Sequence, residues 1–189
     1  ILRVHSPLVT RPVHTRPATT YAPRMNPDLA GYLAGADALH KAIDGLSREE
    51  LLRLPTPRPA ALASSAADLG IWSIQQTIVH LWHSDLAATH RMCRIASEDK
   101  PLLIAYDESA FVRELHYHEL DIAIACELFR LNRQHTAQIL ARLPESAFAR
   151  TGVHNQRGTV TLAQMVRMYV DHLEHHLGFI RRKREAMGR

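Results

Sequence analysis

Apolar residues recur at intervals of three and four along four stretches of the chain, the spacing typical of helices that bury one face. The stretches are 28–46, 73–96, 108–143 and 165–184, and the third has a possible break near His118. Three Ser/Thr residues have Glu or Gln three positions later, which is the capping-box pattern of a helix start. The pairs are Ser47 with Glu50, Ser73 with Gln76, and Thr161 with Gln164.

The connections between these helices are long. Residues 55–70 are rich in Pro, Ala and Ser and predict a loop that borders a functional site. Residues 151–154 and 158–161 are strand-like pieces that could form a short hairpin, but the chain has no strand series sufficient for a sheet. The pattern therefore predicts an all-α protein, a four-helix bundle with long crossover connections.

The charge of the chain is concentrated at its beginning. The 189 residues carry 23 Lys and Arg against 19 Asp and Glu, a net charge of +4. Residues 1–24 hold four arginines, four prolines and no acidic residue, which predicts a disordered basic tail that precedes one helical domain over residues 25–189. Since the remainder is neutral, we expect no binding to nucleic acid.

Composition also bears on the cellular compartment. No apolar run reaches the roughly 18 residues of a membrane helix, and no apolar signal-peptide segment is visible. Cys93 and Cys126 lack CxxC spacing and fall in helical patterns, which indicates reduced thiols. We therefore expect a cytoplasmic protein that makes no contact with a membrane.

Thirteen histidines stand out, and position selects among them. His172 and His176 are four residues apart, so on a helix both imidazoles lie on one face and could share a metal ion. His80 is the best candidate for a third ligand. Its neighbours on the helix place it at the polar edge of an apolar stripe, which favours the lip of a cavity over full burial.

Other polar residues near this set have open roles. His175 is rotated away from the ligand face. His83 could face a substrate, and Asp85, Asp171 or Glu174 could orient a ligand imidazole, although each is also typical of a solvated helix surface. The chain has no HExxH, no Glu-x-x-His, no glycine-rich phosphate loop and no GxSxG, which argues against metalloproteases, ferritin-like di-iron proteins and serine hydrolases.

Four segments in order resemble one known family, the DinB/YfiT-like superfamily. They are WSIQQTIVHLWHSD (Trp72–Asp85), RMCRIASEDKPLLIAYDE (Arg91–Glu108), TGVHNQRGTVTLAQM (Thr151–Met165) and YVDHLEHHLGFI (Tyr169–Ile180). The resemblance covers most of residues 27–183. It implies a four-helix bundle, commonly a homodimer, in which His80, His172 and His176 hold zinc or nickel.

Family members are described as metal-dependent hydrolases, or as S-transferases that use a low-molecular-weight thiol such as bacillithiol or mycothiol. The resemblance therefore implies a metal that activates water or a thiol for attack on a small electrophilic substrate, with His83 or Asp85 as possible assisting groups. His83 stands where an acidic residue is common, and Phe179 where glutamine is common. The alternative is a non-catalytic metal-binding or dimerising bundle.

Overall fold

Four helical segments pack side by side in the structure, a computed structural model that describes residues 27–55 and 69–189. The prediction of an all-α four-helix bundle is confirmed. The predicted tail, residues 1–24, lies outside the described residues, as does most of the predicted loop over residues 55–70. Within the described ranges, no helix is both long enough and apolar enough to cross a membrane.

The first segment consists of helix α1 (Pro27–Ala34), a 3-10 turn and helix α2 (Ala38–Ile43), and the short helix α3 (Arg48–Leu52) follows it. The other long helices are α4 (Ile74–Ser97), α6 (Ile122–Leu140) and α7 (Leu162–Ala186). Helix α4 packs against α6 and α7, and α1 packs against the same two helices, so α1 and α4 are diagonal. The contact between α4 and α7 is the one that the histidine prediction requires.

The predicted caps fix where the two site-bearing helices begin. Ser73 Oγ accepts from the backbone N–H of Gln76 at 3.1 Å, and Gln76 Oε1 accepts from the Ser73 N–H at 2.9 Å. Thr161 and Gln164 form the same reciprocal pair before α7, at 3.0 and 2.8 Å. Each box satisfies two backbone donors that a helix start leaves open. Helices α4 and α7 therefore start at defined residues.

The third predicted helix is divided where its possible break was expected. Helix α5 (Glu108–Glu114) ends, a 3-10 turn spans Tyr117–Glu119, and Asp121 caps α6. His116 adopts a left-handed conformation with φ 49°, which turns the chain between the two helices. Helix α5 is therefore a separate helix, and it packs against α4.

The first predicted helix is also interrupted, at Gly35. A Cβ atom there would lie 2.6 Å from Arg133 Nη1 and 2.6 Å from Leu173 Cδ2. Only glycine admits these two side chains so close to the backbone, and the helix tightens into the 3-10 turn Gly35–Asp37 at this point.

The connections contain a small sheet. Strands β2 (Thr151–His154) and β3 (Gly158–Thr161) form the predicted antiparallel hairpin. The expectation that no sheet forms is wrong, because β1 (Leu102–Leu103) pairs in parallel with β2. A two-residue strand is too short to show alternation in the sequence, so only its pairing partner reveals it.

A polar layer divides the core of the bundle. On α4 one apolar cluster ends at Leu81 and a second begins at Ala88, with buried Asp85 between them. Arg133 occupies the corresponding place on α6, and His172 on α7. Polar side chains at this depth require partners inside the protein.

Asp85 and Arg133 satisfy that requirement together, and each is only 1% exposed. Arg133 Nε donates to Asp85 Oδ1 at 3.1 Å, while the Tyr32 hydroxyl and Asn132 Nδ2 donate to Oδ2 at 3.0 and 2.8 Å. The other guanidinium nitrogens donate to the carbonyl oxygens of Tyr32 and Tyr169. Burial raises the pKa of Asp85, and Arg133 with the two neutral donors opposes that rise.

Candidate metal centre

Three histidine side chains converge where α4 crosses α7. His80 Nε2 lies 3.3 Å from His172 Nε2, and His172 Nε2 lies 3.1 Å from His176 Nε2. The ligand atoms of the three residues all lie within 4.8 Å of one another. The structure thus brings together the three residues that the sequence predicts as ligands.

The donor set fits a tetrahedral divalent cation. With Zn–N distances of about 2.0–2.1 Å, two ligands of a tetrahedral ion are roughly 3.3 Å apart, close to the two separations that involve His172. Burial, together with the neighbouring imidazoles, lowers the pKa of His80 to about 3, of His172 to about 4 and of His176 to about 2. All three rings are therefore neutral at pH 7, with lone pairs available to a metal.

His80 lies deeper than the sequence predicts. It is 1% exposed, so the expectation that it sits at the lip of a cavity is wrong. The Trp72 ring lies 4.8 Å from the His80 ring between centroids, and the His172 and His176 rings lie at 5.3 and 4.8 Å. The spacing of residues along α4 predicts the helix face on which His80 lies. It does not predict the aromatic rings from other segments that pack over the His80 side chain.

A carboxylate absent from the sequence prediction lies beside the three histidines. Glu108, the first residue of α5, has Oε2 4.0 Å from His80 Nε2, and its side chain is 48% exposed. Burial raises the pKa of Glu108, and the charges of Arg157 and Arg91 oppose that effect. No spacing motif links Glu108 to His80, because the two residues lie on different helices and approach each other only where α5 packs against α4.

His172 forms part of the wall of a pocket of about 90 Å³. Helix α4 contributes Arg91, the segment before α5 contributes Tyr106, α5 contributes Glu108, and the hairpin contributes Arg157. On the other side, His176 borders a largely apolar hollow with Trp72 and Phe179 among its walls. The three histidines thus lie between a charged pocket and an apolar one.

The other residues singled out from the sequence lie elsewhere. His83 Nδ1 is 2.6 Å from the Tyr117 hydroxyl, and burial lowers its pKa. Asp85 is bound to Tyr32, Asn132 and Arg133 instead of a ligand imidazole, because it belongs to the polar layer. We therefore correct the expectation that Asp85 assists or orients the histidines.

Two acidic residues of α7 are engaged at the surface. Asp171 pairs with Arg167 at 3.0 Å, and Glu174 pairs with Arg181 at 2.6 Å. His175 is exposed and stacks edge-on against Phe179, in agreement with its rotation away from the ligand face. The side-chain carboxylates of Asp171 and Glu174 face solvent, so neither orients a ligand imidazole.

The two cysteines are poor nucleophiles. Burial raises the pKa of Cys93, and it raises the pKa of Cys126 to about 12. Since the thiolate is the reactive form, both side chains are protonated and unreactive at pH 7. The chemistry of this site rests on the histidines and their neighbours.

Comparison with known proteins supports the family assignment that the sequence segments predicted. A sequence model described as the DinB superfamily matches residues 32–180. A protein of Oceanobacillus iheyensis named "Putative metal-dependent hydrolase" is 29% identical over 111 residues, which are 59% of this chain and 64% of that protein. The chain thus spans less than two thirds of the length of this relative.

Two solved structures share the fold. YfiT from Bacillus subtilis, described as "a probable metal-dependent hydrolase with an unusual four-helix bundle topology", superposes with a TM-score of 0.74 at 22% identity, over 85% of this chain and 86% of that one. The mycothiol-dependent maleylpyruvate isomerase superposes with a TM-score of 0.58 at 14% identity, over 79% and 57%.

Proposed function

The chain belongs to the DinB superfamily, and on that premise we propose that it is a metal-dependent enzyme acting on a small electrophilic substrate. His80, His172 and His176 hold the divalent ion, zinc or nickel. The convergence of their Nε2 atoms in a buried, neutral cluster is the observation that carries the proposal. The name of the Oceanobacillus iheyensis relative supports the same chemistry.

A divalent cation in this site supplies Lewis-acid activation, which lowers the pKa of a water or thiol so that it can act as a nucleophile near neutral pH. The chain's own residues supply the rest. His172 forms a wall of the charged pocket, so a small molecule bound there lies against the histidine cluster. Glu108 Oε2 lies on the same side and accepts the proton that the nucleophile releases.

The nucleophile is either water or a low-molecular-weight thiol. Water corresponds to the hydrolase name of the relative, and a thiol corresponds to the mycothiol dependence of the structural neighbour. The family resemblance supports the associated proposals of a cytoplasmic homodimer and of a catalytic unit over residues 25–189 without the basic tail. Sedimentation of the full chain tests the homodimer, and an unchanged melting temperature and metal content of the chain lacking residues 1–24 would support the domain boundary.

The decisive experiment combines metal analysis with a reaction panel. Purified full-length protein is assayed by elemental analysis and then with ester, amide and lactone substrates, and with haloaromatics and epoxides in the presence of thiols. We expect turnover of at least one class, lost on treatment with a chelator and restored by added zinc or nickel. Stoichiometric metal with no chelator-sensitive turnover would favour the alternative, a non-catalytic metal-binding bundle.

Substitution of Glu108 separates proton transfer from metal binding. Glu108→Gln keeps the shape of the side chain but removes the proton acceptor, so we expect turnover of the substrate found in the panel to fall about a hundredfold. Metal content should stay at the wild-type level, because the three histidines are unchanged. Glu114→Gln, at the exposed end of the same helix, is the matched control. Equal turnover in both variants would contradict the role of Glu108.

A further inference from the structure

Arg91 is a buried guanidinium without a carboxylate partner. It is 8% exposed, and it donates to the Tyr169 hydroxyl at 2.8 Å and to the Ile104 carbonyl oxygen at 2.7 Å. No carboxylate oxygen of the described residues lies within the 4.0 Å of an ion pair with it. Buried charges in proteins are ordinarily paired. Arg133, the other buried arginine of the described ranges, has Asp85.

The pocket that Arg91 lines also contains a second arginine without an ion pair among the described residues and a buried tyrosine hydroxyl. Arg157, an exposed residue in the turn of the hairpin, lines the same pocket, and it has no ion pair among the residues that the structure describes. The Tyr106 hydroxyl is the one buried side-chain polar atom of the described residues without a hydrogen bond of normal geometry, although the Ser84 side chain lies close enough to lower its pKa. A hydroxyl in this position is available to donate a hydrogen bond to a group that enters the pocket.

The charges and the volume of the pocket limit what fits. Two guanidinium groups face one carboxylate, that of Glu108, which leaves the pocket with a single excess positive charge. Without a metal a monoanion matches this balance, and a divalent ion at the neighbouring histidines would add positive charge and strengthen the attraction for an anion. The volume of about 90 Å³ accommodates roughly three groups of the size of water. A carboxylate with one or two attached carbon atoms has these dimensions.

We propose that this pocket binds a carboxylate group of the substrate, with Arg91 and Arg157 balancing its charge and the Tyr106 hydroxyl donating to it. The proposal rests on the proposed function, since His172 in the same wall then places the neighbouring carbon atoms of the substrate at the histidine cluster. The substrate class is accordingly small carboxylic acids with an electrophilic centre close to the carboxylate.

Propionate and its neutral isostere propionamide are suitable probes. Both are titrated into full-length protein by NMR, once in the zinc-loaded form and once after chelator treatment. We expect propionate to bind more tightly than propionamide in both forms, because the arginines do not depend on the metal. In Arg157→Gln and in Tyr106→Phe, propionate affinity should fall about tenfold, as for a lost charge-assisted hydrogen bond.

Control variants keep this test independent of folding and of the metal. Arg113→Gln removes an exposed arginine of α5 outside the pocket and should leave propionate affinity unchanged. Arg91→Gln is added after its melting temperature is measured, but Arg157→Gln and Tyr106→Phe suffice, since neither removes a bond within the fold. Equal binding of the two probes, or equal propionate affinity in all variants, would overturn the proposal. A wild-type protein that binds no zinc would contradict the proposed function alone, because the chelator-treated titration still measures the pocket.

Discussion

Replacement of His172 by alanine is expected to reduce bound zinc from about one ion per chain to less than about a tenth of that, because a three-histidine site that loses one ligand keeps only two. His172 is the central member of the cluster, with its Nε2 atom within 3.3 Å of both other Nε2 atoms. The remaining pair, His80 and His176, comes from two different helices. Turnover of any substrate found in the panel should be lost with the metal.

His175→Ala provides the matched control for this measurement. His175 lies on the same helix, three residues from His172, but its side chain is exposed and turned toward Phe179. Both variants are loaded with zinc, dialysed and measured by elemental analysis, with circular dichroism to verify that each is folded. Wild-type occupancy in a folded His172→Ala protein would refute the ligand assignment.

The second large effect concerns stability rather than the metal. Arg133→Met is expected to lower the free energy of unfolding by about 3–5 kcal/mol, the typical cost of removing one partner from a buried ion pair. The variant leaves Asp85 with its two neutral donors but without a positive charge, at a position that is 1% exposed. Urea denaturation followed by circular dichroism at pH 7 measures the change.

Two further variants test the cause of that loss. Replacing both partners, in Asp85→Leu with Arg133→Met, should recover most of the stability, because no unpaired charge remains in the core. Arg167→Met breaks the ion pairs of an exposed arginine with Asp28 and Asp171 and should cost less than about 1 kcal/mol. A double variant as unstable as Arg133→Met would show that packing, and not the unpaired charge, accounts for the loss.

The local features of this protein can be predicted from its sequence alone. The spacing of apolar residues predicts the helices, and the Ser73 and Thr161 pairs predict where α4 and α7 begin. The same local geometry places His172 and His176 on one face. These features depend on contacts between residues three or four positions apart, which a helix imposes wherever it forms.

The third histidine needed more than local spacing. Periodicity puts His80 on a helix face, but its pairing with His172 joins residues 92 positions apart and depends on which helices are neighbours. Position in the sequence made His80 the best candidate for the third ligand, and the resemblance to the DinB family supported the same three residues. The full burial of His80 was not predictable from the sequence, because it depends on Trp72 and on two histidine rings of α7.

Tertiary structure alone decided the remainder of the site. Asp85 resembled an assisting group in the sequence, yet the packing of α4 against α6 commits it to Arg133. Glu108 lies near His80 only because α5 is a separate helix that packs against α4. Arg157, in the turn of the hairpin, lines the same pocket as Arg91, although the two residues are far apart in the chain. The sequence by itself determined which residues lie on which helix face. Only the packing of those faces determined which charges have ion pairs inside the protein and which have none among the described residues, since burial and ion pairing depend on neighbours far away in the chain.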